Sequence, residues 1–490
     1  MNLIDILIVL AYLGFVIYLG IRFANSNKDS DDFSVAHGKI PTWALGLSFY
    51  ATFLSAITFL GDPGRAFSGN WNAFAFSLSI PLAALIATRF FIPFYKKLNT
   101  PSAYAHLEGR FGRWATLYPM ICFILTQLAR MGTIFFAMAL VIHSFTGYGI
   151  APVMTIIGIS IILYSFMGGI QAIIWTEVVQ SIIKTIGALV ILGIIIHEIN
   201  LKEILEIAEN NDKFSLGGFE LDFSKSGFWT VFLYGLFINL TNFGVDQNYI
   251  QRYHTARNHK EAKKSVWAVA YYYIPVSFLF FFIGTALYAF YQSHSNELEP
   301  LIQEYGEKGI GDKILPHFIQ NHVPIGLTGL IMAALLSAGM SAISNGINSS
   351  ATILLNDFIG KGDRSPSENL KIIRLCSLVV GIIGLGFGLA MIGIKSILET
   401  WWILSGIFAS GMLGLFLIAF LYRKLSKFWA IISTVVGLIV VGYLSLLNYF
   451  PEEYSLKLDQ KMAIILGTIS MIFVGWIGNN FTLKNVKKKK

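Results

Sequence analysis

Ser48, Thr52 and Ser55 stand at i, i+4 and i+7, which puts their hydroxyls on one helix face within an apolar run that Gly61-Asp-Pro-Gly64 then interrupts. Breaking a helix frees carbonyls from their partners four residues on, and bare carbonyls lining a protein-enclosed cavity are good ligands for a hard cation such as sodium. A plain proline kink accounts for the same pattern without an ion. Ser337, Ser341, Ser344, Asn345 and Asn348 form a second polar stripe at i, i+4, i+7, i+8 and i+11. Ala338, Gly339, Ala342 and Gly346 lie among them and permit close approach of another helix, so the stripe serves either a shared ion or hydrogen-bonded glue between helices.

Ionisable groups sit in apolar surroundings at two further places. Glu177, Gln180 and Lys184 share a face at i, i+3 and i+7; an interfacial ion pair explains Glu177, whereas Lys184 lies deeper in the run. Arg130 stands about halfway along a long apolar segment, and its permanent charge needs a partner. A carboxylated solute would supply one through bidentate pairing, and so would an internal acid such as Asp246.

The elements that carry these residues are apolar runs long enough to cross a bilayer, which takes about 20 helical residues. Of the 490 residues 55% are hydrophobic and 13% charged, and the mean hydropathy is +0.64; soluble domains carry roughly a quarter charged residues. Roughly thirteen spans are expected: 2–24, 41–67, 72–98, 115–146, 151–170, 175–198, 227–250, 265–292, 325–357, 371–394, 398–422, 427–449 and 461–480. The whole of 1–490 reads as one all-α polytopic membrane domain, with the first run retained rather than cleaved. The net charge of +8 records topology rather than nucleic-acid binding. Arg22, Lys28, Lys39, Lys96, Lys97, Arg110, Arg113, Arg252, Arg257, Lys260, Lys263 and Lys264 fall on one side, with Lys361, Arg364, Arg423, Lys424, Lys427 and the Lys487–Lys490 tail. The opposite loops carry Glu203, Glu206, Glu209, Asp212, Glu297, Glu299, Glu304 and Glu307, which predicts an external N-terminus and a cytoplasmic C-terminus in a plasma or inner membrane. Cys122 and Cys376 are far apart in apolar runs and offer neither a disulfide framework nor metal-ligand spacing.

The stretch Leu163-Tyr-Ser-Phe-Met-Gly-Gly-Ile-Gln-Ala-Ile-Ile-Trp-Thr-Glu-Val-Val-Gln180 resembles the sodium:solute symporter family, whose helix pair carries Gly-Gly-x-x-Ala-x-x-Trp-Thr-Asp-x-x-Gln. The resemblance extends through Leu54-Ser-Ala, Val245-Asp-Gln-Asn-Tyr-Ile-Gln-Arg252, Ala333-Ala-Leu-Leu-Ser-Ala-Gly-Met-Ser341 and Asn348-Ser-Ser-Ala-Thr352. It implies the leucine-transporter fold, two inverted repeats of five helices with the first helix of each repeat broken. Here the repeats would be 41–198 and 227–422, preceded by helix 2–24 and followed by two helices in 427–480. It further implies a main sodium site of the Ala51, Leu54 and Ala338 carbonyls and the Ser341 hydroxyl, with Ala342 where relatives often have serine. A second sodium site would use Glu177, Ser341, Ser344 and Asn345, with Glu177 and Asn345 departing from the usual aspartate and serine. Asp246, Gln247 and Lys184 are gate or coupling candidates.

Phe53-Leu-Ser-Ala-Ile-Thr58, Trp71-Asn72 and Gln127-Leu-Ala-Arg130 look most similar to the bacterial sialic acid symporters, in which an arginine at this point grips the sugar's carboxylate. By that resemblance Ser55, Thr58 and Arg130 contact the substrate, although Ala73 to Ser79 does not obviously supply the polar side chain those relatives use. The expected function is sodium-coupled import of a small organic solute, a carboxylated sugar such as sialic acid. Another carboxylate or a neutral sugar, or proton coupling through Lys184 or Glu177, is the alternative within the fold. A membrane-embedded enzyme or sensor is the distant one, and no H-E-x-x-H or suitably placed G-x-S-x-G speaks for it.

Overall fold

Inside a hydrocarbon layer every backbone N–H and C=O must find a partner within the protein, which restricts spanning segments to helices or closed barrels. The apolar runs of this chain become helices. The computed structural model describes residues 2–24, 29–36, 40–98, 100–306, 309–360, 362–394, 397–447 and 456–488. Lys28, Lys39, Glu307, Lys361, Lys489 and Lys490, and the side chains of Lys487 and Lys488, lie outside the described residues. The membrane elements begin with α1 (Leu3–Ala24), α2 (Thr42–Phe53), α3 (Ala56–Ser68), α4 (Trp71–Tyr95), α5 (Trp114–Thr146), α6 (Ile150–Ile199) and α7 (Phe228–Val245). They continue with α8 (Gln247–Thr255), α9 (His259–Ser293), α10 (Leu327–Ile353), α11 (Pro366–Ala390), α12 (Ile397–Leu421), α13 (Lys427–Ser445) and α14 (Met462–Lys488).

Among the described residues 11 helices are long and apolar enough to cross a membrane, or 12 when α2 and α3, bent by 55°, form one span. That count takes the expected spans 151–170 and 175–198 as one, because the two helices follow each other without a gap in the 50-residue α6. At 1.5 Å per residue such a helix would measure roughly 75 Å, more than twice a bilayer core of about 30 Å. It kinks at Gly169, whose φ of 62° and ψ of −173° are open to glycine alone.

The centre of the molecule is α10, buried along nearly its whole length and packed on α6, α5, α1 and α11. Its N-terminus is capped from outside its own segment: Asp5 of α1 accepts hydrogen bonds from the amides of Gly326 at 2.7 Å and Gly329 at 2.9 Å, placing a carboxylate at the positive end of the helix dipole. The small residues do the packing expected of them. A Cβ on Gly187 would lie 2.6 Å from the methyl of Ala334, so glycine here is what lets α6 and α10 touch, one turn from Lys184. On the other side, α2 and α3 pack against α9, and α13 and α14 form a peripheral pair against α12.

Two breaks stand out. The first separates α2 from α3 at Leu54 and Ser55, both extended. The Gly61-Asp-Pro-Gly64 motif, expected to make the interruption, instead continues inside α3, and Gly64 serves packing: a Cβ there would lie 2.6 Å from the carbonyl oxygen of Gly311. The second break separates α7 from α8 at Asp246, extended at ψ 121°, whose carboxylate caps α8 by accepting from the Asn248 amide at 2.8 Å.

Candidate functional site

Extended geometry at Leu54 and Ser55 leaves the last carbonyls of α2 without their helical donors, at the negative end of that helix. Cationic side chains from other helices fill the deficit. Arg130 of α5 donates to the Thr52 carbonyl at 2.6 Å. Lys184 of α6, with no solvent exposure, donates to the carbonyls of Leu54 at 3.0 Å and Ala51 at 3.4 Å, and to the Ser341 hydroxyl of α10 at 3.4 Å. Ser341 in turn donates to the Ala338 carbonyl at 3.2 Å. Three of the four residues expected at the main sodium site, Ala51, Leu54 and Ser341, therefore meet at the Lys184 ammonium, and the fourth, Ala338, joins them through the Ser341 hydroxyl.

The second expected site gathers differently. Glu177 and Arg252 form a salt bridge with neither side chain exposed: Arg252 Nη2 lies 2.9 Å from Oε2 and 3.2 Å from Oε1 of the carboxylate. The same guanidinium donates from Nε to Ser48 at 2.9 Å, from Nη2 to the Asn345 Oδ1 at 2.7 Å and from Nη1 to the Asn248 carbonyl at 2.6 Å. Ser48 and the Asn345 amide also donate to Glu177. Of the expected set, Glu177 and Asn345 meet, whereas Ser344 donates to the Ser341 carbonyl at 3.1 Å and Ser341 belongs to the Lys184 cluster. Arg252, counted from sequence among the loop cations, is instead fully buried, because α8 folds back into the bundle rather than out toward solvent. The rest of the α10 stripe is glue: Ser337 donates to the Gln180 carbonyl at 3.3 Å and Asn348 accepts from Gln251 at 2.8 Å. Gln247 staples the 101–103 segment, donating to the Pro101 carbonyl at 2.7 Å and accepting from the Ala103 amide at 2.8 Å.

Beside the first break lies a cavity of about 90 Å³ lined by Ser55, Thr58 and Arg130, the three residues expected to contact solute. Among the described residues no carboxylate lies within ion-pair distance of Arg130; Asp246, which caps α8 through Oδ1, acts on it only through space, and the guanidinium rests 5.8 Å from the Trp401 ring centroid. Asp62, Asn242, Trp401 and Trp402 line the same cavity and were not singled out from sequence. Apolar aromatics opening a helix read as core, so the tryptophans gave no signal, whereas the in-span acid Asp62 did. Ser77 of α4 also reaches the cavity, but its hydroxyl is engaged with Ser277 at 2.8 Å. Trp402 borders a second, larger cavity of about 370 Å³ as well, where Arg65 and Lys461 sit over its ring at 5.8 and 5.4 Å. Trp402, which lines both cavities, stacks on Phe76 of the smaller one at 6.1 Å.

Comparison with known proteins agrees with this architecture. The chain is 30% identical over 478 residues to the sodium/sialic acid symporter NanT of Aliivibrio fischeri, covering 95% of this chain and 91% of that protein. It is also 30% identical over 481 residues to the sodium/sialic acid symporter SiaT of Proteus mirabilis, covering 96% and 93%. A solved substrate-bound, outward-open Na+-coupled sialic acid symporter superposes with a TM-score of 0.88 at 27% identity, over 98% of each chain. The nucleobase-cation-symport-1 transporter Mhp1 superposes at 0.59 with 15% identity, over 92% of this chain and 95% of that one, sharing the fold alone. Residues 33–437 match the sodium:solute symporter family, and this all-helical membrane protein, with a leucine-transporter-type fold and a cation-filled break in its first core helix, belongs to that family.

Proposed function

We propose that this protein is a secondary active symporter that couples the import of an organic anion, sialic acid or a close carboxylated sugar, to a sodium gradient. The observation that carries the reading is Arg130: a guanidinium on the wall of a cavity, next to Ser55 and Thr58, with one hydrogen bond to a carbonyl and, among the described residues, no carboxylate within ion-pair distance. Its remaining donors suit a carboxylate in bidentate geometry, and the hydroxyls suit a polyol. Both sialic acid symporter relatives align over nearly the whole chain, which supports the same solute class.

The cavity of about 90 Å³ is well below the roughly 300 Å³ at which solute-sized pockets begin, so the solute enters through a more open state in which the stacked Phe76 and Trp402 rings part. Segments 41–198 and 227–422 act as the two repeats, each with its broken helix, and rocking of one against the other exposes the cavity alternately. The N-terminus faces outward and the C-terminus the cytoplasm, in the plasma or inner membrane, following the distribution of lysine and arginine. Binding of sialic acid compared with its neutral methyl ester, by calorimetry on the purified protein, tests the solute assignment: the acid binds and the ester does not. Equal affinity for the two removes the carboxylate from recognition.

A further inference from the structure

We propose that the Lys184 ammonium is a built-in occupant of the main cation site, and that sodium and Lys184 exclude one another there. The inference rests on the symporter reading and concerns how its ion site is loaded.

The argument is geometric. An ammonium carries three donors, and Lys184 meets three oxygens, those of Ala51, Leu54 and Ser341, at 3.0 to 3.4 Å. These oxygens come from the broken end of α2 and from α10, the two elements that a bound ion would have to tie together. The Ser341 proton is directed to the Ala338 carbonyl, which leaves a hydroxyl lone pair for Lys184 and engages the fourth expected ligand. Position 342 contributes a methyl group and no oxygen. Sodium added to this arrangement would stand within contact distance of a positive charge, in a buried setting where like charges repel strongly. Among the described residues no carboxylate is in direct contact to offset it: Glu177, one face-turn away on α6, is engaged by Arg252, Ser48 and Asn345. Gly187 holds α6 against α10 at this level, so the lysine is seated by helix packing and is not a loose side chain that happened to point inward.

The ammonium thus makes the contacts that clamp the break to α10, and sodium loads only as Lys184 withdraws. Removing the lysine should convert a weak, competed sodium site into an open one.

The test is sodium binding to the purified full-length protein at fixed pH and ionic strength, with choline replacing sodium, read by tryptophan fluorescence and thermal unfolding. In Lys184→Met and Lys184→Ala the half-saturating sodium concentration is expected to fall at least about tenfold relative to wild type. Lys184→Ala combined with Ala342→Ser should lower it further, and Lys184→Arg should stay as weak as wild type. Unchanged or weaker sodium binding in both neutral variants overturns the proposal. Should neither variant fold, amine labelling of Lys184 in the wild type, quantified by mass spectrometry, gives the answer: sodium increases it if the lysine is displaced, and no increase over choline overturns the proposal. Failure of sialic acid to bind, with the tenfold gain intact, sinks the solute assignment and leaves this inference standing.

Discussion

The guanidinium of Arg252 closes on the carboxylate of Glu177 at 2.9 Å with neither side chain exposed, so two helices distant in sequence, α6 and α8, are joined by a fully buried ion pair. Breaking such a pair from one side strands a charge, whereas replacing both partners by apolar groups removes the problem. Arg252→Met and Glu177→Met should each cost about 3–5 kcal/mol, and the double variant should recover most of that loss. Thermal unfolding of the detergent-solubilised variants measures the cycle, and additive losses would show that the two residues act independently.

Arg130 should matter for binding more than for folding. Arg130→Ala is expected to weaken sialic acid binding by about 2 kcal/mol or more, roughly thirtyfold in Kd, and Arg130→Lys to fall between, since it keeps the charge and loses the planar fork. Calorimetry reads both. Wild-type affinity in Arg130→Ala would make this arginine a structural clasp for the Thr52 carbonyl and nothing more.

Close packing between α3 and α9 depends on Gly284. A Cβ at that position would run into the Pro63 carbonyl and lie 2.8 Å from the Ala66 methyl. Gly284→Ala should therefore cost about 1–3 kcal/mol through overpacking, seen as a lowered Tm, while Gly306→Ala, with nothing within 4 Å, is limited to its backbone strain at φ 70°.

His106, in a short connecting helix outside the spans, is packed edge-on against Phe94 at 4.9 Å and Phe416 at 5.7 Å. Burial among these rings holds its pKa down to about 4. The unfolded chain takes up a proton near pH 6.5 and the folded chain does not until about 4, so stability falls as the pH drops through that window and is unaffected by this group above it. His106→Phe should flatten that part of the curve of Tm against pH, and an unchanged slope would place the acid sensitivity elsewhere.

Much of this site was legible in the residues themselves. Hydroxyls at helical spacing and cations inside apolar runs pointed to Ser341, Arg130 and Lys184, because a charge at membrane depth has few explanations. What the sequence lacks is the identity of each partner. Lys184 could be placed in a span, but only the packing of Gly187 on Ala334 brings it to the α2 carbonyls. The break itself falls at Leu54 and Ser55, which carry no helix-breaking signature, because it is held by donors from α5 and α6 that lie far along the chain. The proline nearby drew attention to the wrong turn for the same reason. Arg252 misled in the opposite direction: a short polar segment after an apolar run reads as a loop, and only tertiary structure returns it to the interior.

The central claim, that a cation gradient drives an organic anion through the Arg130 cavity, is tested most directly by accumulation of radiolabelled sialic acid in proteoliposomes at fixed pH under an inward sodium gradient. The account predicts concentrative uptake that collapses when the gradient is dissipated and is lost in Arg130→Ala. Uptake of equal rate and extent with potassium or choline in place of sodium would contradict it.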